Sequence, residues 1–406
     1  MGAKLSQDRP WIAYVGPFGF PNGGAAARRV LGNAQSLLKA GFRVVVASGQ
    51  KTDSRERTEY LPGIEVVSLG ERSAEHWPRP LRRFRYAAMG RATVAWLDSH
   101  GIPPVAVILY SGYTPYLLRL TPWSRRRGIP LIFDAVEWYQ SSHPLLSLVS
   151  PYQWNIELAM RYLVKQVDGV IAISSYLARY YEKACCPVVM VPPTLDTDAV
   201  PEPPVETGGE PLQLCYTGTP GAKKDLVDVA IEAVLTADLE GRKVLMHIAG
   251  ISESELLALP SLRRRNLSYI PPSIRSHGTL PQAQAMALVR ECDFSVLIRP
   301  DNRVSRAGFS TKFVESFAVG TPVIANLSGD LGDYLRDGET GLICEGPTTR
   351  QFTMALQRAL QLPPAQRRSM RSRCREVAAT FFDYRTHADS LGMFIGSFQT
   401  SRRLIP

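Results

Sequence analysis

Cysteine is scarce and not arranged for a framework. The six cysteines in 406 residues show neither disulfide-framework nor zinc spacing. Cys215, Cys292 and Cys344 fall in or beside expected strands, where small core residues belong, and the adjacent Cys185 and Cys186 read as structural. No His, Cys, Asp and Glu cluster has metal-ligand spacing, so no metal is expected. No apolar run reaches the roughly 18 residues a membrane-crossing helix needs, and no secretory leader is read at the start. A reducing cytoplasm is the expected setting. The GxGxxG fingerprint is missing, so a dinucleotide is not expected. Acid is in deficit: 47 Lys and Arg stand against 37 Asp and Glu, a net charge of +10. Much of the excess lies in the amino-terminal half, at Arg79, Arg82, Arg83, Arg85, Arg91 and the run from Arg125 through Arg127. Such a surface suits nucleic acid, anionic lipid or phosphorylated ligands. No nucleic-acid recognition motif accompanies it.

What is present is an ordinary globular composition, 45% hydrophobic and 21% charged, in a chain long enough for two or three domains. Residues 11–15 read as a strand, 16–24 as a loop rich in Gly and Pro, 25–40 as a helix and 43–47 as a buried strand. That is a βαβ unit with Gly23 and Gly24 at the carboxyl edge of its first strand, where open α/β sheets bind ligands. Further strands are expected at 64–69, 105–109, 131–133, 168–173 and 188–191. Helices are expected at 117–127 and 152–166, with Ser174 capping the next one. Asp134 and Glu137 follow the 131–133 strand directly, again at a carboxyl edge. This alternation predicts one doubly wound domain over 1–191. Residues 192–210, rich in Pro, Gly and acid, read as a linker. A second α/β domain over 211–382 takes strands at 212–216, 243–249, 267–270, 294–298, 323–325 and 341–344, and helices at 253–265 and 282–292.

The most informative stretch is residues 308–326, GFSTKFVESFAVGTPVIAN. Ser310 is an N-cap for a helix beginning at Thr311. Gly320 takes the position after the helix, Pro322 cannot continue it, and Val323, Ile324 and Ala325 form a buried strand. Phe313, Val314, Phe317 and Ala318 share the face that packs on a sheet. Lys312, Glu315, Ser316 and Val319 share the other. A cation and a carboxylate thus sit near a helix N-terminus, where backbone N–H groups hold phosphate and a carboxylate can accept two ribose hydroxyls. A glycine-bearing loop carrying Lys223 and Lys224 likewise falls between a strand and a helix.

The 308–326 stretch resembles the donor-site motif of family-4 glycosyltransferases, enzymes of the GT-B fold that use nucleotide sugars. Gly308, Phe309, Thr311, Lys312, Phe313, Glu315, Gly320, Pro322, Val323, Ile324 and Ala325 fit in register. The resemblance implies two doubly wound Rossmann-like domains facing across a cleft, with the helix in 383–406 returning to the first domain. It implies Gly23 and Gly24 close to the donor phosphates, and Gly218, Thr219 and Lys224 in a phosphate loop. It also implies His277 and Thr279 in the loop that meets the nucleobase, a second phosphate contact from Lys312, and Glu315 on the ribose, with Gly308 to Thr311 lining the donor. Ala307 stands where relatives carry a further glutamate, and Thr219 lies near their usual arginine. Arg299, Arg303 and Arg306 are candidates to supply that charge. Transfer with retention needs no visible base; an inverting course would use Asp134 or Glu137. The nucleotide sugar is a co-substrate, so no cofactor and no metal are implied.

The expected partners are a nucleotide sugar and a carbohydrate or lipid-linked acceptor, without nucleic acid. The expected role is surface polysaccharide or glycolipid assembly. The expected site of action is the cytoplasm, with weak peripheral contact to an anionic inner membrane face through Trp77 to Arg91, where aromatic and basic residues mix. Two rival readings are a non-catalytic two-domain ligand-binding protein, against which the two-lysine loop argues, and a nucleotide-sugar epimerase of the same fold.

Overall fold

The computed structural model describes residues 9–51, 56–71, 86–111, 114–140, 150–203, 209–221 and 224–403. Lys223 and most of the Trp77 to Arg91 segment lie outside them. Contacts divide the chain into two compact units, Met1–Leu195 with Asp383–Pro406, and Asp196–Phe382.

The first unit is built on an eight-stranded sheet. Its strands are β1 (Trp11–Gly16), β2 (Arg43–Ser48), β3 (Thr58–Leu61), β4 (Ile64–Ser68), β5 (Ala106–Tyr110), β6 (Leu131–Ala135), β7 (Gly169–Ala172) and β8 (Val188–Met190), in the order β3-β4-β2-β1-β5-β6-β7-β8. All pairings are parallel except β3 with β4. Parallel strands covered on both faces must be apolar throughout, and β1 and β6 are buried at every position. The order reverses between β1 and β5, which makes that gap the switch point where such sheets bind ligands. The Pro151–Leu158 helix starts on a Ser150 cap and runs on through a π-helical turn at Ala159–Leu163 and a 3-10 turn at Val164–Gln166. Ser174 caps the Ser175–Glu182 helix by accepting from Leu177 N, as expected.

The terminal Ala388–Arg403 helix belongs to this unit. Leu391 and Ile395 are fully buried in its core, and Ser36 Oγ donates to Tyr384 O at 2.8 Å. A Cβ on Gly169 would stand 2.7 Å from both Phe394 and Phe398, so only glycine lets those rings lie on β7. Removing Leu391 to Ala costs about 2–5 kcal/mol on ordinary cavity grounds.

The second unit carries β9 (Leu212–Thr217), β10 (Val244–Ala249), β11 (Ile274–Ser276), β12 (Phe294–Leu297), β13 (Val323–Asn326) and β14 (Gly341–Cys344). The order is β11-β10-β9-β12-β13-β14, all parallel, with the switch point between β9 and β12. Two expected elements differ. Residues 267–270 are not a strand, and the edge strand is instead Ile274–Ser276. The single helix expected over 253–265 is two, Glu253–Leu257 and Pro260–Arg264, because Pro260 has no N–H to continue the first. The stretch read as a linker is tied down where it is described. Pro201 O and Glu202 accept from Arg375, and the carbonyls of Val191 and Pro192 accept from Arg29.

Candidate active site

In the second unit the loop after β9 and the loop after β12 meet at the switch point. Gly218 N donates to Ala249 O at 2.8 Å and its φ is 139°. A Cβ there would lie 2.4 Å from Lys312 Cε. Glycine is therefore required for the Lys312 stem to cross the loop. Beside it, a Cβ on Gly250 would fall 2.4 Å from Gly218 O, so two loops touch backbone to backbone at this edge. Gly250 carried no signal in the sequence.

Lys312 opens the Thr311–Ala318 helix. Its ammonium reaches Asp225 Oδ2 and lies 4.8 Å from the centre of the Tyr216 ring. Tyr216 donates its hydroxyl to Asp225 Oδ2 at 3.2 Å. Arg299, 2% exposed, brings Nε to 3.5 Å from Asp225 Oδ1 and donates to Lys224 O at 3.1 Å. Asn326 fixes Arg299 from behind, accepting from its N–H at 2.8 Å and donating to its carbonyl at 2.9 Å. Two cations thus flank one carboxylate.

Burial pushes the Lys312 ammonium below its ordinary value, and the facing Asp225 only partly restores it; Arg299 and Lys224 push it further down. Burial acts to raise the Asp225 carboxyl, but Lys312 and Arg299 outweigh it and hold it below the usual range. Burial, then Asp225, drives the Tyr216 phenol far up, so it stays a donor. The Lys312 side chain keeps 20% of its surface in solvent, which leaves it open to an incoming anion.

The other expected donor residues fall around this point. Glu315 is half-buried and accepts from Gln282 at 3.3 Å. Lys312 turns to Asp225 rather than resting as a plain surface partner of Glu315. Ser310 stands at the N-cap position, but no hydrogen bond of its side chain caps the helix. Gly308 is buried, Thr311 is half-buried, and the Phe309 ring packs on Phe313, Tyr334 and Phe382. Its part in any site is its backbone. Ser316 and Val319, expected on the face opposite the one that packs on the sheet, are both buried as well. Thr219 and Thr279 are exposed and Lys224 is half-buried. Arg306 is bidentate to Asp301, so Arg299 is the arginine in the cluster. Ala307 is fully buried.

His277 donates Nε2–H to His247 Nδ1 at 2.9 Å, and His247 Nε2–H donates to Gln213 Oε1 at 2.7 Å. The Gln213 amide donates to Pro211 O at 2.8 Å, which turns its oxygen to His247 and fixes both tautomers. Burial first, then His277 and Arg275, pushes His247 down to about 4, so the chain is neutral at ordinary pH.

In the first unit a cavity of about 460 Å³ opens at the β1/β5 switch point. Glu137 lines it with Gly23, Phe18, Tyr86, Tyr110 and Tyr152. A Cβ on Gly23 would lie 1.8 Å from Gly19 O, and Gly24 has φ 64°, so the loop needs both glycines. Asp134 is corrected here. It is fully buried and accepts from Tyr14, from Arg29 at 2.9 Å and from Asn33 at 3.4 Å. A carboxylate so enclosed ties β1, β6 and the Gly24–Lys39 helix together and is not placed to take a substrate proton. Among the described residues no group of three or more His, Cys, Asp or Glu is placed to hold a metal ion. Nor is any described helix long and apolar enough to cross a membrane.

Two parallel doubly wound domains, with a terminal helix returned to the first, define the GT-B fold. Sucrose-phosphate synthase from Thermosynechococcus elongatus superposes with a TM-score of 0.72 at 18% identity, over 98% of this chain and 99% of that one. Anabaena Alr3699/HepE in complex with UDP and glucose superposes at 0.63 and 12% identity, over 97% and 100%. Residues 24–194 match the glycosyl transferase 4-like domain and residues 211–362 the glycosyl transferases group 1 domain. The chain belongs to the GT-B glycosyltransferases. D-inositol 3-phosphate glycosyltransferase of Mycobacterium tuberculosis is 29% identical over 168 residues, which is 40% of this chain. The matched region spans 33% of that relative's length.

Proposed function

We propose that this protein transfers a sugar from a nucleotide sugar to a hydroxyl of a carbohydrate or lipid-linked acceptor, in surface polysaccharide or glycolipid assembly on the cytoplasmic side of a membrane. The observation that carries the reading is the excess of positive charge where Lys312 and Arg299 flank Asp225, beside Lys224. The donor C1–O bond to phosphate breaks, a C1–O bond to the acceptor forms, and the acceptor proton passes to the departing phosphate. Lys312 and Lys224 stabilise the charge growing on that group. Glu315 accepts from the ribose hydroxyls. Backbone from Gly218 to Thr219 and from Gly308 to Thr311 lines the phosphates, and the His277 to Thr279 loop meets the base. The nucleotide sugar is a co-substrate, with no resident cofactor or metal in the scheme.

Attack from the face the leaving group occupies gives retention, in keeping with the family resemblance. Glu137 in the first-unit cavity favours a second course, inversion with Glu137 as base; the anomeric proton of the product decides between them.

Thermal-shift titration with UDP, GDP and ADP names the nucleotide, since a ligand at 100 times its Kd adds about 2.7 kcal/mol of apparent stability. Glu315→Ala loses two charge-assisted hydrogen bonds of roughly 1.5–3 kcal/mol each. It should bind the nucleotide about ten- to a thousandfold more weakly. Lys224→Ala should lower kcat more than it raises KM. A stably folded Glu315→Ala with wild-type affinity sinks the ribose role, and undiminished transfer by Lys224→Ala sinks the phosphate loop.

A further inference from the structure

The chain of Gln213, His247 and His277 leaves one polar atom over. Pro211 O turns the Gln213 amide, so the Gln213 oxygen must take a proton from His247 Nε2. His247 Nδ1 is then bare and accepts from His277 Nε2–H at 2.9 Å. Burial first, then Arg275, pushes His277 below its ordinary value as well, so both rings are neutral. A neutral imidazole protonated on Nε2 carries a lone pair on Nδ1. His277 makes no further side-chain hydrogen bond among the described residues. The two ring nitrogens of an imidazole face apart. Nε2 is turned inward, to a His247 that is 8% exposed, so Nδ1 is turned outward on a half-buried residue. The ring is held in place, stacked on His247 with 25° between the planes, and the His277 backbone N–H donates to Ile248 O at 2.9 Å. A serine hydroxyl or an asparagine amide can turn from acceptor to donor; this ring offers an acceptor only.

The sheet sets its place relative to the phosphate cations. Gly250 N donates to Gly278 O at 2.7 Å. Gly250 also abuts Gly218, which the Lys312 stem crosses. The loops after β9, β10 and β11 therefore run side by side from Lys312 to His277. β9 and β11 are two strand spacings apart, about 10 Å, within the span of a nucleoside from phosphate to base edge.

We propose that His277 Nδ1 accepts the ring N–H of a lactam base, uracil or guanine, and that His247 and Gln213 are positioning residues that lock the imidazole in this tautomer. The proposal rests on the donor-site reading of the second unit and adds to it the class of base. Proximity of the loop alone assigns no atom of the base; the locked tautomer does. At the matching ring position adenine and cytosine carry a bare nitrogen, so lone pair would face lone pair. A site built to meet an N–H rejects a ligand that lacks it more strongly than an apolar pocket does.

The experiment is titration calorimetry with UDP, GDP, ADP and pyrophosphate, then with the methylated form of the tighter lactam nucleotide, 3-methyl-UDP or 1-methyl-GDP. UDP or GDP should bind at least about tenfold more tightly than ADP, and methylation of the ring N–H should cost wild type about tenfold. In His277→Phe the acceptor is gone, so parent and methyl analogue should bind within about twofold of each other. Pyrophosphate has no base and should bind this variant as it binds wild type, which shows the phosphate loops intact. His247→Leu frees the His277 proton to move between the two nitrogens, and the parent-to-methyl ratio should fall to about threefold. A loosened loop would weaken both ligands alike and leave that ratio where it was. An unchanged ratio in His277→Phe therefore overturns the contact, and an unchanged ratio in His247→Leu overturns the positioning role. ADP binding as tightly as UDP and GDP, or a methyl analogue equal to its parent on wild type, overturns the base contact and leaves the donor reading standing. No binding of any nucleotide or of pyrophosphate removes the donor reading, and this proposal with it.

Discussion

The two units bury charge with similar parts and opposite outcomes. In the first, Tyr14 from the central strand β1 donates to Asp134, and Arg29 closes on the same carboxylate. In the second, Tyr216 from the central strand β9 donates to Asp225, and Lys312 closes on it. The first set balances one anion against one cation, and the spare donors of Arg29 end on Val191 and Pro192 carbonyls. The second set has Arg299 as well and leaves positive charge over. A neutral, enclosed cluster fastens elements together. A cluster with excess charge and a partly exposed lysine suits an arriving anion.

The largest expected effect lies on the balanced side. Arg29→Ala strips a buried carboxylate of its partner, which typically costs 3–5 kcal/mol or so. Two backbone carbonyls lose their donor as well. Urea unfolding should show the loss in the first unit, while nucleotide affinity of the folded fraction stays at wild type. A stable Arg29→Ala protein would mean that water or another cation already serves Asp134, and the contrast would weaken.

A middle-sized effect is expected from Lys312→Met. It leaves Asp225 paired with Arg299 alone and makes the second cluster balanced like the first. One charge-assisted contact to a diphosphate, about 1.5–3 kcal/mol, is lost, so the nucleotide that the thermal-shift screen selects should bind about ten- to a hundredfold more weakly in calorimetry. Unfolding free energy should move less than in Arg29→Ala, because Arg299 still faces the carboxylate. Unchanged nucleotide affinity would remove Lys312 from the phosphates.

The parts of this contrast differ in how far the chain alone reveals them. Strands such as β1 and β13 are legible because burial on both faces forces unbroken apolar runs. β3, with sequence TEYL and mostly exposed, is an antiparallel edge and carries no such run. Lys312, Glu315 and Gly218 stand in short motifs. The partnership of Lys312 with Asp225 spans 87 residues and that of Tyr14 with Asp134 spans 120, so no local pattern can announce either. For the same reason Asp134, open at a carboxyl edge by strand position, turns out enclosed. Ala307 is likewise settled by packing. A glutamate there would have to be buried, so Ala307→Glu tests folding before it tests sugar choice.

The smallest effect is the most diagnostic, because it concerns the charge state of Lys312. Asp225 lowers the local positive charge, which weakens anion binding, yet it also holds the ammonium protonated against burial. Asp225→Asn keeps the shape and a carbonyl oxygen for the Tyr216 hydroxyl, but removes the attraction. The ammonium value then falls further, since burial, Arg299 and Lys224 all still push it down. As pH falls through that new value Lys312 regains its proton, faces no carboxylate, and binds the nucleotide more tightly than wild type. As pH rises through it the charge goes and binding becomes weaker than wild type. The two affinity curves should therefore cross as pH rises toward the ordinary lysine range, with a difference of about three- to tenfold on either side, and a terminal phosphate with pKa about 6 is ionised throughout. Titration calorimetry across that range reads it directly. Parallel curves would show that Asp225 serves Lys312 as no more than a packing partner, and the second cluster would then be structural like the first.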